Sequence, residues 1–199
     1  MCIIIYKKEN AELPSYEILK RCFQRNPDGA GFCYINAKTN KIKMEKGFFS
    51  FNKFYKRLLE VQNEHHLLIH MRIATGGILD DRNCHPFKVN SGLYFAHNGI
   101  LDKEIAAPNQ IFSDTYTLNE ILKNFHLKYK ELKSEFFRLL FAERIQNNKI
   151  VFFGVKNAFI LNEDLGYWED GVWFSNGSYR SNTENTYYQS INQMLMELP

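Results

Sequence analysis

Apolar residues along this chain fall into two kinds of run. Short unbroken runs rich in β-branched and aromatic residues predict strands at Cys2–Lys7, Leu67–Ala74, Leu93–His97, Lys149–Phe153, Ala158–Leu161 and Val172–Ser175. Ala30–Asn36 and Lys41–Phe48 read as a hairpin-like pair around the turn-prone Ala37-Lys38-Thr39-Asn40. Runs with apolar residues three and four apart predict helices instead. Tyr16–Gln24 follows the start signal Pro14-Ser15, and Phe51–Asn63 carries Phe51, Phe54, Tyr55, Leu58 and Leu59 at helical spacing. Asp114–Phe125 and Leu132–Ile145 are amphipathic, the second with Phe136, Phe137, Leu139, Leu140 and Phe141 on a broad apolar face. Strands, then helices, then strands again imply an α+β protein with packed sheets. With no internal repeat, low-complexity tract or Pro/Gly/Ser linker, residues 1–199 are expected to form one domain.

Composition narrows the class. At 199 residues, 45% hydrophobic and 24% charged, the chain has the balance of a globular protein that buries roughly 70% of its unfolded surface. Aromatics at 15%, with 17 Phe and 11 Tyr, predict a ring-rich core. A net charge of +3, evenly spread, gives no footprint for nucleic acid. The lysines at 123, 128, 130 and 133 read as a solvated helix face. No run approaches the roughly 18 apolar residues of a membrane span, and no basic leader precedes the first apolar stretch. Cysteines at 2, 22, 33 and 84 lack a CxxC pair, so a reducing cytoplasm is expected. The histidines at 65, 66, 70, 85, 97 and 126 have no metal-ligand spacing, and neither a metal nor a cofactor is expected.

One position changes the picture. Cys2 follows the initiator methionine, and its side chain is small enough to permit methionine removal. Once trimmed, it carries a thiol and a free α-amine on one carbon. Their reference pKa values, about 8.5 and about 7.7–8.0, make proton transfer between them near thermoneutral. Such a residue is its own nucleophile and its own base. The ordinary reading of the same cysteine is a small buried hydrophobe in a strand.

Four further segments carry polar chemistry: Asn26-Pro27-Asp28-Gly29-Ala30-Gly31, His70–Gly77, Phe95-Ala96-His97-Asn98-Gly99 and Ser113-Asp114-Thr115. Singly, each has a structural explanation, as turn dipeptides, a helix cap or a paired arginine. In this order after Cys2, and with Asn83-Cys84-His85-Pro86-Phe87 between the second and third, they resemble the class II glutamine amidotransferases. These are N-terminal nucleophile hydrolases, and the resemblance spans roughly residues 2 to 176. It implies a four-layer αββα sandwich of two packed, mainly antiparallel sheets.

The resemblance also implies roles. Cys2 would attack the side-chain amide of glutamine. Asn98 and the backbone N–H of Gly99 would hold the oxyanion. Arg72 would fork onto the α-carboxylate and Asp114 would face the α-ammonium. Thr75 and the backbone at Gly76 would help hold the substrate. Arg25, Asp28 and Gly31 would lie in the turn that supports the Cys2 amine, and His85 would be scaffolding. Two positions depart from the family pattern: Ile73 replaces an aromatic residue, and Gly76 stands where histidine is common. Both bear on which γ-glutamyl amide is the substrate. The larger family members carry a synthetase domain that consumes the ammonia, so a separate ammonia-accepting enzyme is the partner implied. The segment Asp170–Asn176 is expected to close a sheet, with Trp173 in the core or, alternatively, exposed to a partner. Two other readings stand beside this one: a cysteine hydrolase using Cys84 and His85, and a degenerate domain that binds glutamine or a partner protein.

Overall fold

The computed structural model describes residues 2–137, 141, 143–181 and 183–184. Its elements are β1 (Ile3–Lys7), α1 (Tyr16–Arg25), β2 (Ala30–Asn36), β3 (Lys41–Phe48), α2 (Phe51–Glu60), β4 (Leu67–Met71), β5 (Phe87–Asn90), β6 (Leu93–Asn98), α3 (Lys103–Ala106), α4 (Asp114–Asn124), β7 (Lys149–Gly154), β8 (Ala158–Leu161), β9 (Tyr167–Glu169) and β10 (Val172–Phe174). One sheet has the strand order β3-β2-β4-β1-β10-β9 and the other β5-β6-β7-β8. Every pairing is antiparallel. The protein is α+β, with two packed antiparallel sheets.

Side-chain alternation along the strands sorts the interior into three apolar layers. Ile3 and Ile5 of β1 face α1 and α2, joining Leu19, Phe23, Phe54 and Leu58. Ile4 and Tyr6 of the same strand face the second sheet and meet Tyr94, Ala96, Val151 and Phe153. On the far side of the second sheet, Phe95, Ile150 and Phe152 pack under Leu118 and Leu122 of α4. The order is helix, sheet, sheet, helix. Strands covered on both faces need apolar residues at successive positions rather than alternate ones, which is why Ile3-Ile4-Ile5 is an unbroken run. Each such side chain contributes roughly 1.5–3 kcal/mol by leaving water.

Local signals account for most boundaries. Ser15 and Ser113 cap α1 and α4 by accepting from the N–H groups of Ile18 and Tyr116. Trp173 is fully buried between the sheets, and its indole N–H donates to the Glu163 carbonyl over 3.0 Å. It is a core residue, and the exposed alternative is corrected. Two further expectations need correction. The helix expected over Leu132–Ile145 does not start there: Tyr129–Lys133 is a 3₁₀ segment, and Ser134 at φ −68°, ψ 141° is extended. Helical residues follow at Glu135–Phe137 and Glu143–Ile145, while Leu139 and Leu140 lie outside the described residues. The strand expected to run to Ala74 leaves regular pairing after Met71. Strands β5 and β9 and helix α3, each four residues or fewer, have too little sequence to show a period. Among the described residues no helix is long and apolar enough to cross a membrane.

Candidate active site

Antiparallel pairing brings the start of β1, the end of β4, the start of β2 and the end of β10 to one end of the first sheet. Ile3 pairs with Met71, and Met71 with Ala30, so Cys2, Arg72 and the 26–29 turn are neighbours. Main-chain bonds fix them. The Arg72 N–H donates to the Gly29 carbonyl over 2.8 Å, and the Asp28 N–H to the Arg72 carbonyl over 2.9 Å. The Asp28 carboxylate accepts from the Ala74 N–H at 2.8 Å.

Cys2 lies against this turn, half-buried. Its Sγ is 3.4 Å from the Ile73 nitrogen and 3.5 Å from the Ile73 oxygen, so it can accept from the one and donate to the other. Burial pushes the thiol up from its ordinary range, while the Ile73 N–H and the Arg72 charge pull it down. Asn176 Nδ2 holds the Cys2 carbonyl at 2.7 Å. Arg72 itself is buried, its guanidinium donating to the Gly76 carbonyl over 2.6 Å and the Ile78 carbonyl over 3.3 Å. A guanidinium has five N–H donors, and these two bonds leave others for a ligand.

The second sheet brings β6 to the same end. Asn98 terminates that strand, is buried, and places Nδ2 2.8 Å from Ser175 Oγ. Ser175 follows β10 and also accepts the Ile4 N–H at 2.8 Å, so one hydroxyl joins the two sheets beside Cys2. Gly99 has φ +147°, open to glycine and strained for other residues. A Cβ there would overlap Asn148 Oδ1.

Behind Asn98 lies a polar network. His97 Nε2 bonds Asn148 Oδ1 at 2.8 Å and its Nδ1 meets Thr115 Oγ1 at 2.8 Å. The Asp114 carboxylate accepts from Thr115 N–H and from Leu101 N–H, the last at 2.8 Å, and lies 3.1 Å from Thr115 Oγ1, whose single proton goes to Nδ1 of a neutral His97. His70 Nε2 bonds the His97 carbonyl at 3.1 Å, and the His97 N–H donates to His85 Nδ1 over 3.2 Å. His70 and His85 stack at 3.9 Å between ring centroids. Burial holds all three rings neutral, pushing His70 down to about 3 and lowering His85 and His97 as well.

Asn83 ties the two halves. Its amide donates to the carbonyls of Ile78 (3.1 Å) and Ile111 (2.7 Å), and its oxygen accepts from the Ser113 N–H at 2.9 Å. The loop held by Arg72 is thereby joined to the loop that enters α4 at Asp114.

The other expected residues are placed as follows. Thr75 is exposed on the Arg72 loop, and Gly76 contributes its carbonyl to Arg72. Gly31 lies at the start of β2, where a Cβ would overlap the His85 carbonyl oxygen. Arg25 ends α1 and its guanidinium bonds the carbonyls of Ser178 (2.7 Å) and Arg180 (3.0 Å). Cys84 Sγ faces the Asp80 carbonyl at 3.5 Å while His85 Nδ1 is taken by the His97 N–H, so these neighbours do not face each other. Sequence reasoning missed Ser175, Asn176 and Asn148, and saw Asn83 only as part of a motif. Their partners lie tens of residues away, and no local pattern marks them. Among the described residues there is no cluster of three or more His, Cys, Asp or Glu able to hold a metal ion.

No protein-family model matches the sequence, and no curated protein matches it. Among solved structures, the chain is similar to glutamine phosphoribosylpyrophosphate amidotransferase from B. subtilis complexed with ADP and GMP. The TM-score is 0.49 and the identity 19%, over 87% of this chain and 41% of that one. This chain therefore corresponds to less than half of that protein's length.

Proposed function

We propose that the chain is a glutaminase-type amidotransferase domain, hydrolysing the glutamine side-chain amide with Cys2 after removal of Met1. The observation that supports this most is the shared end of the two sheets. There the Cys2 thiol, the buried Arg72 and the Asn98-Gly99 turn come within a few linked hydrogen bonds.

In the proposed cycle Arg72 takes the α-carboxylate and Asp114 the α-ammonium of glutamine, with Thr75 and Gly76 at the rim of the pocket. The free Cys2 amine accepts the thiol proton, directly or through a water, and the Ile73 N–H stabilises the thiolate. Sulfur attacks Cδ, and the negative charge moves to the amide oxygen, facing Asn98 and the Gly99 N–H. The protonated amine delivers its proton to the departing nitrogen, the C–N bond breaks, and a γ-glutamyl thioester remains. Water then attacks the thioester and releases glutamate, returning the proton to sulfur. One glutamine and one water give one glutamate and one ammonia, which leaves free or passes to a separate acceptor enzyme. The three buried histidines stay neutral and act as scaffold.

Intact mass and an electrophilic glutamine analogue test this together. The expected result is loss of Met1 and a single adduct that peptide mapping puts on Cys2, with glutamate release abolished in Cys2→Ala and retained in Cys84→Ala. Protein that keeps Met1 in its native host, or an adduct on Cys84, would overturn the proposal. Glutamine binding without turnover by fully trimmed protein would leave a binding domain instead.

A further inference from the structure

Ser175 has no part in the cycle above, yet it is fully buried and anchored three ways. Its N–H donates to the Ile4 carbonyl over 3.0 Å, its Oγ accepts the Ile4 N–H at 2.8 Å, and Asn98 Nδ2 lies 2.8 Å from the same oxygen. In that arrangement the hydroxyl accepts twice, and Asn98 Oδ1 is buried with no partner. Buried carbonyl oxygens are almost always paired, so the orphan points to a second state of the amide.

A hydroxyl donates as well as accepts. Turning the Asn98 amide by half a turn lets the Ser175 O–H donate to Oδ1 while the Ile4 N–H stays on the other side of the oxygen. Both N–H groups of Nδ2 then occupy the side now held by the unpaired oxygen. That is the state an oxyanion needs, with an amide N–H joining the Gly99 N–H toward the developing charge and the acceptor end tied back. Because Ile4 is two residues from Cys2, the same hydroxyl keys the donor to the strand that carries the nucleophile.

We infer that Ser175 is the positioning residue of the oxyanion site, its hydroxyl donating to Asn98 Oδ1 and so presenting an amide N–H to the reacting oxygen. The inference rests on the proposed glutaminase reading. A residue with this role touches no substrate. Its loss lowers the rate of thioester formation and leaves glutamine binding at Arg72 and Asp114 unchanged.

A double-mutant cycle with a single-turnover readout tests it. Ser175→Ala is expected to lower kcat about 10- to 100-fold with KM for glutamine unchanged, the scale expected for a misplaced catalytic group. In an Asn98→Ala background the same change is expected to have no further effect, because the group it positions is gone. Ser175→Thr, which keeps the hydroxyl, is expected to restore most of the rate. If Ser175→Ala folds poorly, Ser175→Cys reads the same cycle with a weak donor of similar size. Losses that multiply in the double variant, or a lower melting temperature with unchanged kcat per folded molecule, would overturn the inference while leaving the glutaminase reading intact. A wild type that releases no glutamate and takes no label at Cys2 would remove the reading on which both depend.

Discussion

The two halves of the candidate site are built by different means. On the first sheet, Cys2, Arg72 and the 26–29 turn are placed by main-chain bonds and by guanidinium bonds to loop carbonyls. On the second, Asn98, His97, Thr115, Asp114 and Asn148 are placed largely by one another's side chains. Main-chain bonds survive most substitutions and follow from sheet register. A side-chain network is only as good as its least satisfied member. The second half should therefore be more sensitive to single polar substitutions and to pH.

The largest expected effect is on acid stability, and it comes from the seam where the second half meets the first. His70, His85 and His97 are buried neutral, with proton affinities lowered on folding by loss of solvation. Below about pH 6.5 the unfolded chain binds protons that the folded chain refuses. Stability is thus fully present above that pH and falls as pH drops toward the folded values, about 3 for His70. His70 alone contributes a slope of about 1.4 kcal/mol per pH unit near pH 5, and His85 and His97 steepen it in the same direction. Urea midpoints measured from pH 7.5 to 4.5 check this. A slope below one proton would mean that the cluster charges while folded.

Two glycines set the contrast more sharply. At Gly31 an added Cβ would overlap the His85 carbonyl oxygen and lie 2.6 Å from Lys46 Cβ and 2.9 Å from the Glu45 carbonyl oxygen. Main chain cannot be trimmed, so Gly31→Ala is expected to cost more than about 3 kcal/mol, with no rescue by shortening a neighbouring side chain. At Gly99 the overlap is with Asn148 Oδ1, a side chain. Gly99→Ala should therefore cost less in an Asn148→Gly background than in the wild type, down to the strain of φ +147°, about 1–3 kcal/mol, once the loss of the His97 Nε2–Asn148 Oδ1 bond is subtracted as the cost of Asn148→Gly alone. Thermal melts of the four proteins check both. Equal rescue at the two positions would erase the distinction.

Asn83 belongs to neither half and joins them. Asn83→Ala strands the Ser113 N–H and two carbonyls, an expected cost of about 1–3 kcal/mol. If the halves cooperate in holding glutamine, KM is expected to rise about tenfold with kcat less affected, since Arg72 and Asp114 lose their common tether. An unchanged KM would show that each half holds its residue independently.

The same division explains what could be read from the sequence. Strands β1, β2, β3, β6, β7, β8 and β10 and helices α1, α2 and α4 announce themselves by apolar runs, spacing and caps. Ser113 is legible as a cap because its partner is three residues away. Cys2, Arg72, Asn98 and Asp114 were legible as an ordered set of segments, although no periodicity says that they share one end of the sandwich. The helix expected at Leu132 was misread because an apolar face is compatible with helix wherever the backbone permits it, and Ser134 is extended. Ser175 and Asn148 were invisible for a different reason. Their partners stand 77 and 51 residues away; the stacking of one sheet on the other creates the first bond, and the pairing of β6 with β7 creates the second.

The smallest expected effect tests the claim about the first half directly. Asn176 is a side chain in that half, donating to the Cys2 carbonyl over 2.7 Å. Cys2 is half-buried, so water can replace the amide, and Asn176→Ala is expected to cost about 0.5–1.5 kcal/mol. Because β1 and the 28–29 turn still hold the chain on either side of the thiol, kcat should fall less than about threefold, well short of the loss expected for Ser175→Ala. Melting temperature and glutamate release, measured on the two variants side by side, provide the comparison. An Asn176→Ala variant as slow as Ser175→Ala would mean that Cys2, too, depends on a side-chain tether, and the contrast between the two halves would fail.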